Sequence, residues 1–421
     1  MPFFLLIVAL AIGVPVSASI LLAVFAYLPQ TNFGFSLVGQ RLFQGLDSFA
    51  LLAVPLFTLA GGLMNSSGIT DRIVRLANSM VGHTKAGLAQ VNIWSSVIFA
   101  GMSGSAVADT SALGKVFIPA MTKEGYKPET AAAITAASSV IGPIIPPSTP
   151  VIIYALLVGG VSIPGMFLAG IVPGLLLAGA LSIYVFFFIG DDVPRKARAS
   201  ASERWAALRG ALLPLFMPVF IVGSILLGVV TPTEAAALAA AYALFVGCVV
   251  YRTMSLREIG KVFVQAMRDS ATVLLIIGAV LAANWLMTFA RIPQSISMFV
   301  VDNIDNPLLF LLVVNILLLL AGLFLDGLAT MLIFVPIFAP IAVAMGIDPT
   351  HFGIVVIFNL LIGLITPPMG MCLFIAESIA KCGKWRLTRA IMPLFLVELV
   401  VLAIITFIPA TVTTLPRLLG Y

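Results

Sequence analysis

Two stretches of this 421-residue chain carry one interrupted pattern. The first runs Gly101-Met-Ser-Gly-Ser-Ala-Val-Ala-Asp109 and resumes at Ile141-Gly-Pro-Ile-Ile-Pro-Pro147. The second runs Gly322-Leu-Phe-Leu-Asp326 and resumes at Ile362-Gly-Leu-Ile-Thr-Pro-Pro368. The two aspartates are separated by nearly the same length of chain as the two Pro-Pro pairs. Each copy sets a lone carboxylate and a Gly/Pro helix break inside apolar sequence. Hydrocarbon can neither solvate the charge nor pair the freed backbone groups, so such features persist only where protein or a polar cavity surrounds them. Interrupted segments in corresponding positions of two halves point to the binding site of a transporter.

Hydrophobic residues make up 61% of the chain, charged residues 9%, and the mean hydropathy is +1.17. Soluble domains are about 25% charged. The chain therefore reads as a polytopic membrane protein. Its net charge of +5 does not indicate nucleic acid, because the basic residues fall in short loops between apolar runs. Cys248, Cys372 and Cys382 form neither a disulfide framework nor a metal motif and read as small apolar filler. The first run, 3–28, is too long for a signal segment and reads as a retained span.

At about 20 apolar residues per span, the runs fall near 3–28, 48–68, 88–121, 129–158, 164–190, 211–229, 235–251, 270–290, 307–345, 352–377 and 390–411. Runs 88–121 and 307–345 are too long for one helix. They are interrupted at Ser103-Gly104-Ser105 and Leu325-Asp326-Gly327, and each reads as a re-entrant hairpin. The result is nine full spans and two hairpins, with the N-terminus cytoplasmic and the C-terminus outside. Charge agrees with this. Eighteen basic residues, Arg195 and Lys196 among them, fall in cytoplasmic loops, against Arg41, Arg291 and Arg417 outside. Lys115, in the first hairpin, is expected either to snorkel to the cytoplasmic face or to pair with a carboxylate. A single crossing by either hairpin would destroy the bias.

The expected fold is an all-α polytopic membrane protein built as an inverted repeat with two re-entrant hairpins and two broken helices. The first repeat, 1–210, holds scaffold helices 1–68, hairpin 88–121, broken helix 129–158, helix 164–190 and a cytoplasmic loop 191–210. Residues 211–229 connect. The second repeat, 235–421, holds helices 235–290, hairpin 307–345, broken helix 352–377 and helix 390–411. Residues 34–47 and 255–269 read as amphipathic helices at the interface.

Chain reversal at a hairpin tip leaves helix-end groups unpaired. Carbonyls at a half-helix C-terminus attract cations, and N–H groups at an N-terminus attract anions. Ser103 and Ser105 add hydroxyl oxygens at the first tip, and Asp109 lies in the first turn of the returning helix. The stretch Gly142 to Pro150 has four prolines in nine residues and cannot be an unbroken helix, so Ser148 and Thr149 line a break. The second copy offers Asp326 at the tip and Asn359, Gly363, Thr366, Pro367 and Pro368 at the break. Such oxygens suit a hard cation such as sodium. Asp109, Ser148, Thr149 and Asn359 are expected to line the substrate pocket. Glu398 lies mid-span, where a charge costs about 2.5–3.5 kcal/mol on insertion scales, so a buried partner is expected in this chain or a second subunit.

Two other classes fit less well. Gly101-Met-Ser103-Gly104 has a rhomboid-like form, but a serine protease needs a histidine base within reach, and His83 and His351 read as loop residues on opposite sides. No Gly-x-Gly-Asp context surrounds either aspartate as in intramembrane aspartyl proteases. A channel can be lined by broken helices, yet two inverted halves suit alternating access better. The chain is not expected to be an enzyme, and it carries no nucleotide-binding Gly-x-x-x-x-Gly-Lys-Ser/Thr loop.

The stretches 101–121, 132–174, 228–237, 322–341 and 359–374 resemble the large membrane subunit of tripartite ATP-independent periplasmic (TRAP) transporters, and similarity runs through essentially the whole chain. The resemblance implies an elevator-type ion-transporter fold importing an organic acid, such as a C4-dicarboxylate or sialic acid. It implies sodium as coupling ion and no other cofactor, a periplasmic substrate-binding protein, and a small membrane subunit of about four helices, here a separate polypeptide. It implies the bacterial cytoplasmic (inner) membrane as location. Carried over residue by residue, it places sodium around Ser103, Gly104, Ser105, Gly142, Pro146, Asp326, Gly363, Thr366 and Pro367. A binding-protein-independent organic-anion symporter of related architecture is the alternative.

Overall fold

The computed structural model describes residues 2–31, 33–189, 197–323, 325–368 and 370–421. Arg195 and Lys196 of the charge pattern lie outside the described residues. All regular structure among the described residues is helical.

The first apolar run is not one span. Gly13 (φ +85°) and Pro15 divide it into α1 (Pro2–Ala11) and α2 (Val16–Tyr27), which pack on each other. Leu6 of α1 and Ile20 and Val24 of α2 wall the same apolar cavity. α3 (Phe35–Leu46) follows, then α4 (Ala53–Ser66) and α5 (Ile69–Val81). The first hairpin is α6 (Gly87–Ser103) and α7 (Ala106–Lys123). The prolines split the next run into α8 (Pro128–Ser139) and α9 (Thr149–Val158), and α10 (Ile163–Phe188) completes this half.

Three capping boxes open the next helices: Ser200/Glu203 for α11 (Ala201–Leu226), Thr231/Glu234 for α12 (Pro232–Phe245) and Ser255/Glu258 for α13 (Leu256–Phe289). Each box satisfies two orphan N–H donors reciprocally. Residues 201–210, expected in a loop, are thus the first turns of α11. Residues 255–269 are likewise no separate interfacial helix, because α13 runs 34 residues through them. The two lead-ins differ in where their polar side chains go. Asp269 accepts from the Gln265 amide (2.9 Å) and the Ser270 hydroxyl donates to Ala266 O (2.6 Å), both within the helix. At Asp47 the backbone leaves helical geometry (ψ 63°) and α3 stops.

α14 (Ile292–Asn303) leads to the second hairpin, α15 (Pro307–Gly322) and α16 (Gly327–Ala344). Then come α17 (Pro349–Gly363), α18 (Met371–Ala380), α19 (Lys384–Phe407) and α20 (Ala410–Leu418). Three helix pairs start at one constant separation along the chain: α7 and α16 at Ala106 and Gly327, α8 and α17 at Pro128 and Pro349, and α10 and α19 at Ile163 and Lys384. Among the described residues, seven helical segments are long and apolar enough to cross a membrane: 49–66, 163–188, 201–226, 232–250, 256–289, 327–344 and 384–407. Six are expected spans. The seventh, α16, is the return arm of the second hairpin.

The helices pack in two groups. α2, α3, α4 and α12 gather around α13 and one another, with α5 against α11. The hairpins, the broken helices, α10 and α19 form the other group. Within it the halves interlock: α9 leaves its own half to pack on α16 and α17, while α18 packs on α7 and α8. Tyr154 of α9 is fully buried, its ring against Gly353 of α17, and its hydroxyl donates to Pro349 O (2.7 Å).

Candidate ion and substrate site

Each hairpin tip meets the broken helix of its own half. In the first half α6 ends at Gly104, whose φ of +59° suits glycine. A side chain there would reach within 2.8 Å of Pro147 O, so the tip rests on the backbone of the break. Ser105 caps α7, its hydroxyl accepting from Ala108 N (3.4 Å). Ser105 N–H donates to Ser103 Oγ (3.3 Å), and the Ser103 hydroxyl donates to Asp109 Oδ1. Asp109 is completely buried beside Gly142, and its Oδ2 has no hydrogen-bond partner among the described residues. The Ser148 hydroxyl donates to Pro143 O, closing the loop between α8 and α9, and accepts from Val151 N (3.3 Å). Thr149 is half-buried, and Pro146 is buried beside it.

The second tip repeats this with different chemistry. Gly322 and Gly363 approach so closely that a side chain on either would lie 3.4 Å from the other's Cα, and Gly327 lies on Leu360 O. Asp326 caps α16 by accepting from Leu328 N (3.1 Å). Thr366, buried at the break, donates to Ile362 O (2.7 Å) and keeps lone pairs free. Pro367 is half-buried. The Pro146–Pro147 and Pro367–Pro368 peptides are both cis.

The two aspartates, equated by the repeat, are not counterparts. The constant separation of the helix starts pairs Asp326 with Ser105, the other cap, and Asp109 with Thr330. The aspartates' own spacing falls short of that separation by about four residues, roughly one helical turn.

Asn359 lies inside the second hairpin–helix unit rather than on an open wall. Its amide donates to Asn315 O (3.0 Å) and Oδ1 (2.8 Å), and the Asn315 amide donates to Thr406 Oγ1 (3.0 Å). The first half has a similar clasp, in which Ser96 Oγ on α6 donates to Ser138 Oγ on α8 (3.1 Å).

The structure adds to or alters the reading of three residues. Cys372, read as filler, is fully buried beside Thr110 and within electrostatic reach of Asp109, Glu398 and Asp326. Its place two residues after Gly370, at the start of a half-helix, was the available signal. Glu398, singled out by its mid-span place, is completely buried, and neither of its oxygens has a hydrogen-bond partner among the described residues. His351 is not in a loop but in the first turn of α17, its ring Nε2 paired with Ile405 O (2.8 Å).

At each tip, then, the C-terminal ends of two helices and the N-terminal ends of two others surround hydroxyl, carbonyl and carboxylate oxygens. That arrangement can hold a cation against the carbonyl ends and an anion against the amide ends. The overall fold is shared with solved transporters. The Alcanivorax borkumensis YdaH transporter superposes with a TM-score of 0.65 at 15% identity, over 90% of this chain and 89% of that one. Neisseria gonorrhoeae MtrF, of a class of antimetabolite efflux pumps, gives 0.63 at 15% identity, covering 88% and 83%. Such identities establish the fold alone. Sequence decides the family: residues 3–411 match the DctM component of the tripartite ATP-independent periplasmic transporters.

The chain belongs to that family.

Its relatives within the TRAP family carry different cargoes. The sialic acid TRAP transporter large permease protein SiaM of Vibrio cholerae is 42% identical over 97% of this chain and 96% of its own length. The C4-dicarboxylate large permease DctM of Rhodobacter capsulatus is 37% identical over 99% and 98%. The 2,3-diketo-L-gulonate large permease YiaN of Escherichia coli is 37% identical over 95% and 94%. The chain is a TRAP-family large permease and a membrane transport protein.

Proposed function

We propose that this chain is the large permease subunit of a sodium-coupled importer of an organic acid. It works in the bacterial cytoplasmic membrane with a separate small membrane subunit and a periplasmic binding protein that delivers substrate. The observation that carries this reading is the pairing of each hairpin tip with a helix break, with Asp109 Oδ2 buried and unpartnered at the first. Sodium ions fit the oxygens present. Ser103, Ser105 and Asp109 with carbonyls at the ends of α6 and α8 would hold one. Asp326, Thr366 and the carbonyls at the ends of α15 and α17 would hold another. Gly104, Gly142, Pro146, Gly363 and Pro367 contribute backbone rather than side chains. The substrate carboxylate is met by the N-termini of α7, α9 and α18, next to Ser148 and Thr149.

Bound sodium neutralises the helix C-termini and draws the tips onto the breaks, so the pocket closes around the acid. The hairpin–broken-helix group then moves as one body against the group around α13. The constant separation of the paired helix starts supports two repeated halves, 1–210 and 235–421, joined through 211–229; the loop charges are what favour their inversion, with the N-terminus inside and the C-terminus outside. Each charge moved inward gains about 2.3 kcal/mol per 100 mV, so two sodium ions can concentrate a monoanion.

The test is reconstitution with both partners in liposomes, followed by uptake of labelled sialic acid, C4-dicarboxylates and sugar acids with and without an inward sodium gradient. Accumulation that needs both sodium and the binding protein is expected. Accumulation without the binding protein would favour the binding-protein-independent symporter. Gradient-independent equilibration would refute coupling and both ion assignments.

A further inference from the structure

Glu398 has no role in the mechanism above, and its surroundings give it none as a packing residue. It sits on the buried stripe of α19, where neighbouring turns supply Leu387, Ile391, Leu394, Leu402 and Ile405. The opposite face of the helix exposes Met392, Leu396 and Val400, so the carboxylate is turned inward. It is completely buried, and both oxygens lack a hydrogen-bond partner among the described residues. An aliphatic side chain of similar volume would fill this position without the cost of a buried charge, which is severe unless the charge is paired.

The carboxylate is not isolated from the transport site. Cys372, on the first turn of α18, lies within electrostatic reach of Asp109, Glu398 and Asp326 together. Asp109 has Ser103, and Asp326 has the amide of Leu328. Glu398 has neither kind of partner. The elements packed on α19 carry few titratable groups. α8 has Glu129, α10 Tyr184, α17 His351, α18 Cys372 and Glu377, α20 Arg417, and α15 none. Arg417 is paired with Asp348 (3.1 Å), and the His351 ring is engaged by Ile405 O. No cationic side chain of the chain compensates Glu398 among the described residues.

We propose that Glu398 is an additional cation position, separate from both hairpin tips, holding one monovalent cation inside the moving body. The cation is a sodium ion or a proton. The inference rests on the sodium-coupled reading above. It adds one positive charge per cycle to those held at the tips.

The test uses the purified complex of both membrane subunits in nanodiscs and needs no substrate. Thermal unfolding is followed against sodium concentration, with choline replacing sodium, at several pH values. Ligand that binds only the folded state stabilises it with a slope set by the number of ions bound. If the cation is sodium, Glu398→Gln lowers that slope by about one ion. If it is a proton, the sodium slope is unchanged, and the wild type's loss of stability with rising pH disappears in the variant. Should Glu398→Gln not accumulate, Glu398→Asp keeps the carboxylate one methylene short, and a shifted half-saturating sodium or midpoint pH is expected. Sodium slope and pH profile both unchanged in the folded variant would overturn the proposal while leaving sodium coupling at the tips intact. A wild type insensitive to sodium would instead count against the coupled function itself.

Discussion

Replacing Gly104 with alanine tests whether the first tip must rest on the first break. Two effects add. Gly104 has φ +59°, and a left-handed conformation costs an L-residue about 1–2 kcal/mol. The new Cβ would also stand 2.8 Å from Pro147 O, which is backbone and cannot rotate away. Such overpacking costs about 1–3 kcal/mol. The closed tip should therefore lose roughly 2–5 kcal/mol in total relative to an open one. Gly228 is the control. Its φ is +68°, yet nothing lies within 4 Å of its added Cβ, so Gly228→Ala carries the backbone cost without the contact. The difference, about 1–3 kcal/mol, corresponds to roughly 5- to 150-fold in a binding constant. The assay is sodium-dependent uptake in proteoliposomes, read as half-saturating sodium. Gly104→Ala should require roughly 5- to 150-fold more sodium than Gly228→Ala, at equal membrane insertion. Equal values in the two variants would refute the idea that tip and break close on each other around the ion.

Other substitutions separate structure from transport. Ser103→Ala strips Asp109 of its side-chain partner and should abolish uptake while insertion persists, checked by uptake and by yield of folded protein; normal uptake would remove Ser103 from the site. Asp326→Ala should abolish uptake too, and losing the α16 cap costs about 0.5–2 kcal/mol. Asp326→Asn keeps an oxygen cap without the charge, so uptake should fall with little change in melting temperature. Asn315→Ala breaks the Asn359 and Thr406 contacts and should destabilise by about 1–3 kcal/mol, with half-saturating sodium unchanged in whatever protein folds. Tyr154→Phe loses the hydrogen bond to Pro349 O and should cost about 1 kcal/mol in thermal unfolding, with transport retained.

The hairpins and breaks were legible because glycine, proline and aspartate stand out where hydrocarbon forbids them. Ser103-Gly104-Ser105 marks its turn at the observed helix ends, and the prolines after Gly142 mark theirs within about four residues. The split of the first run was legible too, at Gly13 and Pro15, but its high average hydropathy masked two short helices. The Ser255/Glu258 box announced the start of α13. That α13 continues past Asp269 depended on Gln265 and Ala266 taking up the polar side chains, which spacing alone does not reveal. The aspartates were equated as counterparts because both sit near a tip. Only helix register shows that one caps and the other is buried a turn later. Glu398 stood out as a mid-span charge and Cys372 only by its place after Gly370, but what surrounds each depends on α18 and α19 packing on the first half's helices, a tertiary fact.

The unequal lengths of the helices have a mechanical consequence. α13 has 34 residues, roughly 51 Å of continuous rod, longer than a bilayer with its headgroups, about 40–45 Å. The half-helices α8, α9, α17 and α18 have 10 to 15 residues, roughly 15–23 Å each. α13 thus overhangs the bilayer on its own, whereas the short pieces α8 and α17 are buried within the chain and α10 and α19 give their group its height. Hydrophobic mismatch costs fractions of a kcal/mol per ångström. In the proposed cycle, bilayer thickness would act through α13 as a load that weights one resting position of the body against the other, and lipid chain length would become a control on the transport rate.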